Sequence, residues 1–310
     1  MTFAAEVREE LAHVRDEGEA AQLAEVVTGL RIGGALHIGH GAAGLSITTG
    51  SGAVARRLRA RVAALTGARS DIEVHAAQGL ATGARYRLVW HPKDAGALVR
   101  LGLLDDHGRP LEGLPAGPVA AAPAAALRGA LMVAGSVSDP AKPPHLEIAA
   151  PGRRSAEDVA ALLRAVGAVG ARARVHGDGW RVVVKSGSGI ATVLARAGAH
   201  TAFLRYDQGR LRRELRAQAN RAANADGANL QRSMAAASRQ VEAVEAALRR
   251  SSLEDLSPEL ASVALARIAN PQASLTELGA LLDPPAGKAT VHRRLGRLEA
   301  LARESDAAPG

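Results

Sequence analysis

Lys288, Thr290, His292, Arg293, Arg294 and Arg297 are the residues whose types and spacing carry the clearest chemistry in this sequence. Between Ala286 and Leu298 every charged residue is a cation, and the first acid is Glu299. Guanidinium forks and an ammonium group bind phosphate oxygens, and arginine also pairs with guanine edges in a major groove. Val291, Leu295, Leu298 and Leu301 recur at helical spacing, so the segment reads as an amphipathic helix starting near Gly287. Before it, Ser274 and Glu277 form a capping box that opens a helix through Leu278, Leu281 and Leu282, and Asp283-Pro284-Pro285 breaks the chain. Helix, break and basic helix make the pattern of a helix-turn-helix whose second helix enters the major groove. An ordinary helical hairpin with a solvated basic face has the same pattern, and these residues alone leave both readings open. In the first reading Thr290, His292 and Arg293, near the helix start, face base edges, whereas Arg294 and Arg297 face phosphates.

A second basic group is Arg210, Arg212, Arg213, Arg216 and Arg221, interrupted by Glu214. It suits phosphate contacts or contacts with the preceding domain, and the sequence does not separate the two. Other chemistries find less support. Gly39-His40-Gly41-Ala42-Ala43-Gly44 matches the dinucleotide fingerprint G-x-G-x-x-G, but strand alternation at Leu45-Ser46-Ile47 follows it where a helix N-terminus is required, so it reads as a hairpin turn. His37 and His40 invite a metal, yet no carboxylate lies near them in sequence and they flank that same turn. Asp105-Asp106 and Asp178 read as turn acids. There is no cysteine, which excludes disulfides, thiolate metal sites, iron–sulfur clusters and a cysteine nucleophile. No G-x-S-x-G or H-E-x-x-H motif is present, and nothing in the sequence calls for a catalytic site, a cofactor or a metal.

The elements that must position these residues fall into a duplicated half and a helical remainder. A strand at Leu45–Ile47, a basic helix Gly52–Thr66, Gly67, and strands Ile72–His75 and Tyr86–Trp90 recur roughly 100 residues later. The second copy has a strand at Leu146–Ile148, a helix Ser155–Val166, Gly167, and strands Ala173–His176 and Trp180–Lys185, joined by a turn at Asp178-Gly179. A glycine-bearing helix precedes each copy, Leu23–Gly34 and Leu127–Gly135, and glycine lets two such helices approach closely. This predicts a pseudo-twofold saddle of two antiparallel sheets. From Leu211 to Leu248 the pattern is helical; Ser257-Pro258 opens a further helix that Asn270-Pro271 ends, and Asp306–Gly310 reads as a frayed tail.

Composition sets bounds on partners. The 310 residues are 47% hydrophobic and 23% charged with net charge +8, which favours an anionic partner. Aromatic residues are 2%, too few for base-stacking platforms of the kind that bind single strands. No apolar run has the length of a membrane span and Met1–Leu11 carries acids where a signal peptide has a basic start, so no membrane association and a cytoplasmic location are expected.

Three stretches resemble the WhiA family of sporulation and cell-division regulators of Gram-positive bacteria. Leu211–Leu230 (LRRELRAQANRAANADGANL) is similar to the signature joining its two domains, Ala273–Leu298 to its helix-turn-helix, and Leu127–Ser136 (LRGALMVAGS) to its second LAGLIDADG-type helix. The resemblance covers nearly the whole chain and implies two LAGLIDADG repeats, in keeping with the duplication. In active LAGLIDADG nucleases an acid near the end of each motif helix holds a divalent metal; by motif alignment these positions fall at Ala134 and Gly34, which offer no side-chain oxygen donor. The resemblance further implies partnership with the principal sigma factor of RNA polymerase and with a WhiB-like iron–sulfur protein.

The expected fold class is α+β, a duplicated LAGLIDADG-like α/β saddle followed by an all-α helix-turn-helix domain. Expected domains are 1–120 and 121–208 for the two repeats, 209–250 for a basic linker helix with possible phosphate contacts at Arg212, Arg213, Arg216 and Arg221, and 251–310 for the DNA-binding domain. The expected function is transcriptional regulation through double-stranded DNA in the nucleoid, without catalysis. A metal-dependent homing-type endonuclease and a structural adaptor binding an acidic protein are the rivals.

Overall fold

A computed structural model of the chain describes residues 2–15, 18–39, 42–76, 84–91, 96–250 and 252–303. Two compact units result, Met1–Glu214 and Leu215–Gly310. The end expected for the second repeat, 208, and the division at Glu214/Leu215 both fall inside a single continuous helix.

In the first unit α1 (Phe3–Ala12) precedes two copies of one pattern. The first copy is α2 (Glu19–Gly33), β1 (Gly34–Gly39), β2 (Ala42–Thr49), α3 (Gly52–Thr66), β3 (Ser70–His75) and β4 (Arg85–Trp90). Short helices α4 (Gly96–Arg100) and α5 (Ala116–Ala121) lead to the second. That copy is α6 (Pro123–Ala134), β5 (Gly135–Val137), β6 (Leu146–Ala150), α7 (Arg153–Ala165), β7 (Arg172–His176) and β8 (Gly179–Val184). Its sheets are antiparallel and run β1-β2-β4-β3 and β5-β6-β8-β7, the same order twice. The duplication legible in sequence is therefore a duplication of topology.

Period-two patterning explains how each sheet packs. Leu45, Ile47, Leu88 and Trp90 in one sheet, and Leu146, Ile148, Val182 and Val184 in the other, are all buried in a single core. Between them α2 and α6 pack directly against each other, and a Cβ on Gly129 would run into the carbonyl oxygen of Glu25. That close approach is the use of glycine anticipated from sequence.

Details of register differ from the sequence reading. Gly34 and Gly135 both end their helices and both open a strand, paired with Ile47 and Ile148 respectively. The counterpart of Ala134 is therefore Gly33, one residue before the Gly34 that motif alignment selects, because backbone pairing rather than the glycine spacing fixes the equivalence. The second hairpin turns at Gly177-Asp178, not Asp178-Gly179: His176 pairs with Gly179, and Gly177 takes the positive φ of 55°. The turn between β1 and β2, with His40 and Gly41 of the glycine motif, lies outside the described residues, as does the tail Asp306–Gly310; the flanking strands pair antiparallel from Gly39 and Ala42 onward. Asp105 acts as a turn acid, its Oδ1 accepting from the N–H groups of His107 at 2.9 Å and Arg109 at 2.8 Å.

After α8 (Gly187–Ala197), α9 runs from His200 to Arg250. Glu10 of α1 accepts from the backbone N–H groups of Thr201 at 2.6 Å and Ala202 at 2.9 Å, supplying acceptors to two otherwise orphaned donors at its start. In the second unit Ala237, Gln240, Val244 and Ala247 of α9 are buried at helical spacing. They pack with α10 (Pro258–Ala269), α11 (Leu275–Ala280) and α12 (Lys288–Arg303) around a small aliphatic core.

Candidate nucleic-acid interface

The second unit is organised by one buried cation. Arg267 of α10 is 1% exposed and forms no ion pair with a carboxylate among the described residues. Its Nη1 donates to the carbonyls of Ala273 at 2.7 Å and Pro271 at 3.3 Å, and Nη2 donates to Gln240 Oε1 at 2.9 Å. Burial pushes its pKa below the ordinary arginine value. The guanidinium ties α9 and α10 to the segment that enters α11, satisfying carbonyls that the turn at Asn270-Pro271 leaves open. Nothing in the sequence pattern distinguished Arg267 from a surface arginine.

Helix α11 then starts as its sequence prescribes. Glu277 N–H donates to Ser274 Oγ at 3.2 Å, and Ser274 N–H donates to Glu277 Oε2 at 2.8 Å, completing the capping box. The Ser274 backbone and hydroxyl bonds hold the Glu277 carboxyl below its usual range. The helix ends at Ala280, earlier than the expected Leu282, and Leu281 is exposed while Leu282 packs inward. Gly279 is required at the turn: its carbonyl accepts from Ala286 N–H at 2.9 Å, and a Cβ there would strike the Ala286 carbonyl oxygen.

With the turn fixed, α12 presents a defined face. Val291, Leu295 and Leu298 are buried against Leu260, Val263, Ala264 and Leu278, as expected, whereas Leu301 is 39% exposed and leaves the apolar stripe. The last turn extends past the small core, and among the described residues that leucine stays 39% exposed. At about 100° per residue Arg293 points almost directly away from the buried stripe. Lys288, His292, Arg293 and Arg297 are exposed, while Thr290 and Arg294 are half-buried on one flank. Ala289, Gly296 and Ala300 occupy the remaining exposed positions around Arg293, so little side-chain bulk stands beside it. A rigid, acid-free face with two protruding guanidinium groups about 6 Å apart along the axis can donate to phosphate oxygens or guanine edges.

The other basic group is divided by the fold. Arg210 bonds Asp207 and Glu214, and Arg213 donates to the Lys142 carbonyl and is half-buried. Arg213 is thereby committed within the first unit, and Arg212, Arg216 and Arg221 are the exposed members.

At the foot of the α2–α6 pair, where the resemblance implies metal-binding acids in active nucleases, Gly33, Gly34 and Ala134 supply no side-chain oxygen, so these residues do not fit a divalent ion. Among the described residues there is no cluster of three or more histidines, cysteines or acids able to hold a metal. His37 Nε2 lies 2.8 Å from Ser46 Oγ on the adjacent strand, a pairing inside the sheet; His40 lies outside the described residues. Among those residues no helix is long and apolar enough to cross a membrane.

Three family descriptions match the chain in order. They are the WhiA N-terminal LAGLIDADG-like domain over residues 19–104, the WhiA LAGLIDADG-like domain over 123–216 and the WhiA C-terminal HTH domain over 219–302. The chain belongs to the WhiA family. A WhiA relative from Salinispora arenicola, named a probable cell division protein, is 42% identical over 310 residues, covering 97% of this chain and 93% of its own. One of the same name from Mycobacterium sp. (strain MCS) is 41% identical over 307 residues with 97% and 93% covered. The crystal structure of full-length WhiA from Thermatoga maritima superposes with a TM-score of 0.56 at 21% identity, covering 98% of this chain and 99% of that one. The crystal structure of an N-terminal WhiA LAGLIDADG domain gives 0.51 at 21% identity, covering 64% and 90%. WhiA architecture, two LAGLIDADG-like repeats followed by a helical HTH domain, thus agrees with the expected α+β class.

Proposed function

We propose that this WhiA-family chain is a sequence-specific regulator of transcription, binding duplex DNA with α12 in the major groove and acting on cell division and sporulation genes. The observation that carries the reading is the face of α12. Lys288, His292, Arg293 and Arg297 are exposed without an intervening acid, opposite the buried Val291, Leu295 and Leu298. Arg293 is the base reader and Arg297 a phosphate contact, with Thr290, His292 and Arg294 lining the flanks. Arg212, Arg216 and Arg221 add phosphate contacts from α9. The helix-turn-helix assignment and the names of the relatives support this reading.

The LAGLIDADG-like repeats act as a scaffold without nuclease chemistry, since the positions that would bear metal-binding acids are glycine and alanine. The principal sigma factor and a WhiB-like iron–sulfur protein are the protein partners carried by the family resemblance, and the nucleoid is the expected location. Selection of bound duplexes from a random library tests the central point. Enrichment of one short motif, bound with a steep salt dependence, is expected. Recovery of unrelated sequences bound with equal affinity would sink the proposal.

A further inference from the structure

The two edge strands of the first unit occupy equivalent places and carry opposite charge. Strand β3 ends the first sheet and β7 ends the second, each paired on one side only among the described residues. Register makes the equivalence exact residue by residue. Ile47 pairs with Leu88 and Ile148 with Val182, and the next residues, Val89 and Val183, pair with Asp71 and Arg172. Two residues further along, Glu73 pairs with Arg87 and Arg174 with Arg181. Asp71 thus corresponds to Arg172, and Glu73 to Arg174. All four side chains are exposed. The equivalent valines beside them, Val74 and Val175, are 64% and 66% exposed, large values for β-branched residues in strands.

We infer that this chain associates head to tail with a second copy, β3 of one copy pairing antiparallel with β7 of the next. The register sets Asp71 opposite Arg174 and Glu73 opposite Arg172, with Ile72 opposite Ala173. Because the two strands hold equivalent positions in equivalent sheets, residues 71, 73, 172 and 174 share one parity. Their side chains therefore fall on the same face of the extended sheet, and their backbone groups meet in matching phase.

Charged residues on an edge strand commonly serve to block pairing. Edges of one sign would do that. Here like edges repel, acid on acid for β3 with β3 and base on base for β7 with β7, while unlike edges attract, so the charges select the heterologous pairing. Among the described residues neither Arg172 nor Arg174 has an ion-pair partner in its own chain, whereas Glu73 is bonded by the half-buried Arg87 at 3.2 Å and the exposed His75 at 3.3 Å. A contact of five or six residues is small, which makes the association weak and concentration-dependent. A head-to-tail contact leaves a free β3 and a free β7 at its ends, so further copies add in an open row or a closed ring, according to the rotation the contact imposes.

Sedimentation equilibrium of the nucleic-acid-free full chain across a concentration series tests this. The wild type should show a weight-average mass that rises above the monomer with concentration and falls back as salt is raised. The pair Asp71→Arg with Glu73→Arg makes both edges basic, and the pair Arg172→Glu with Arg174→Glu makes both acidic. Each variant alone should lose the concentration dependence, and mixing the two should restore it. Far-ultraviolet circular dichroism checks that both remain folded. A wild type that stays monomeric throughout, association that survives either charge reversal or grows with salt, or a mixture of folded variants that stays monomeric would each overturn the inference. Should a variant fail to fold, the concentration and salt series of the wild type still decides.

Discussion

Arg128 Nε lies 2.9 Å from Oε2 of Glu25, a guanidinium–carboxylate pair only 3% and 0% exposed, on the two helices that open the two repeats. Arg57 donates to the same carboxylate from α3 at 2.6 Å and Arg61 lies 3.1 Å from it, while Arg57 also donates to the carbonyls of Ala12 and Val14. One buried acid therefore draws α2, α3 and α6 together around its charge. Removing it takes the shared counter-charge away from buried cations, which costs more than the pair contributes as a whole. Replacement of Glu25 by alanine should destabilise the first unit by about 3–5 kcal/mol. Urea unfolding measures this, and a loss below about 1 kcal/mol would show that water reaches the arginines freely.

Two helical glycines should respond in opposite directions. Gly129 faces the Glu25 carbonyl so closely that any Cβ forces α2 and α6 apart, and Gly129→Ala should cost about 1–3 kcal/mol. Gly296, inside α12, has open space around it, so Gly296→Ala should gain about 1 kcal/mol from helix propensity alone. Thermal melts of the two variants check the pair, and a destabilised Gly296→Ala protein would mean that α12 is packed on its outer face.

For the proposed DNA reader, Arg293→Ala should cost roughly 1–3 kcal/mol on the selected site and relax preference at one base position. Arg297→Ala should weaken all duplexes alike and lower the salt slope by about one. Both leave Val291, Leu295 and Leu298 untouched, so folding should persist. Binding isotherms over a salt series separate the two roles. Wild-type binding by both variants would remove α12 from the interface.

Incubated with Mg²⁺ or Mn²⁺, the purified chain should leave supercoiled and linear duplex DNA uncut. The reason is the absence of side-chain oxygen donors at Gly33, Gly34 and Ala134. Metal-dependent nicking that co-purifies with the chain, and disappears on changing a carboxylate, would contradict the scaffold role.

Truncation locates the end of the first unit. Tyr206 is fully buried and stacks on Phe3 with ring centroids 6.0 Å apart. A fragment ending at Arg205 loses that ring and should be less stable than one ending at Glu214 by on the order of 3 kcal/mol. Equal stability of the two fragments in urea would move the functional boundary back to the start of α9.

Much of this architecture was legible in the sequence, because local rules dominate where elements begin, end and alternate. Ser274 and Glu277 fix the start of α11 through bonds spanning three residues, and alternation at Leu45–Ile47 and Leu146–Ile148 marks the strands. The duplication, the helix-turn-helix and the basic face of α12 all rest on such short-range periodicity. Relations between elements distant in sequence required the tertiary structure. The sequence shows Arg57, Arg128, Arg213 and Arg267 alike as helical arginines, yet two gather round Glu25, one is bound to the Lys142 carbonyl and one clamps the approach to α11. Leu301 satisfies the apolar spacing of α12 and still faces solvent, because the core beneath that turn ends before it. The equivalence of Ala134 with Gly33, and of Asp71 with Arg172, depends on hydrogen-bond register between strands, which residue spacing alone leaves undetermined by one position.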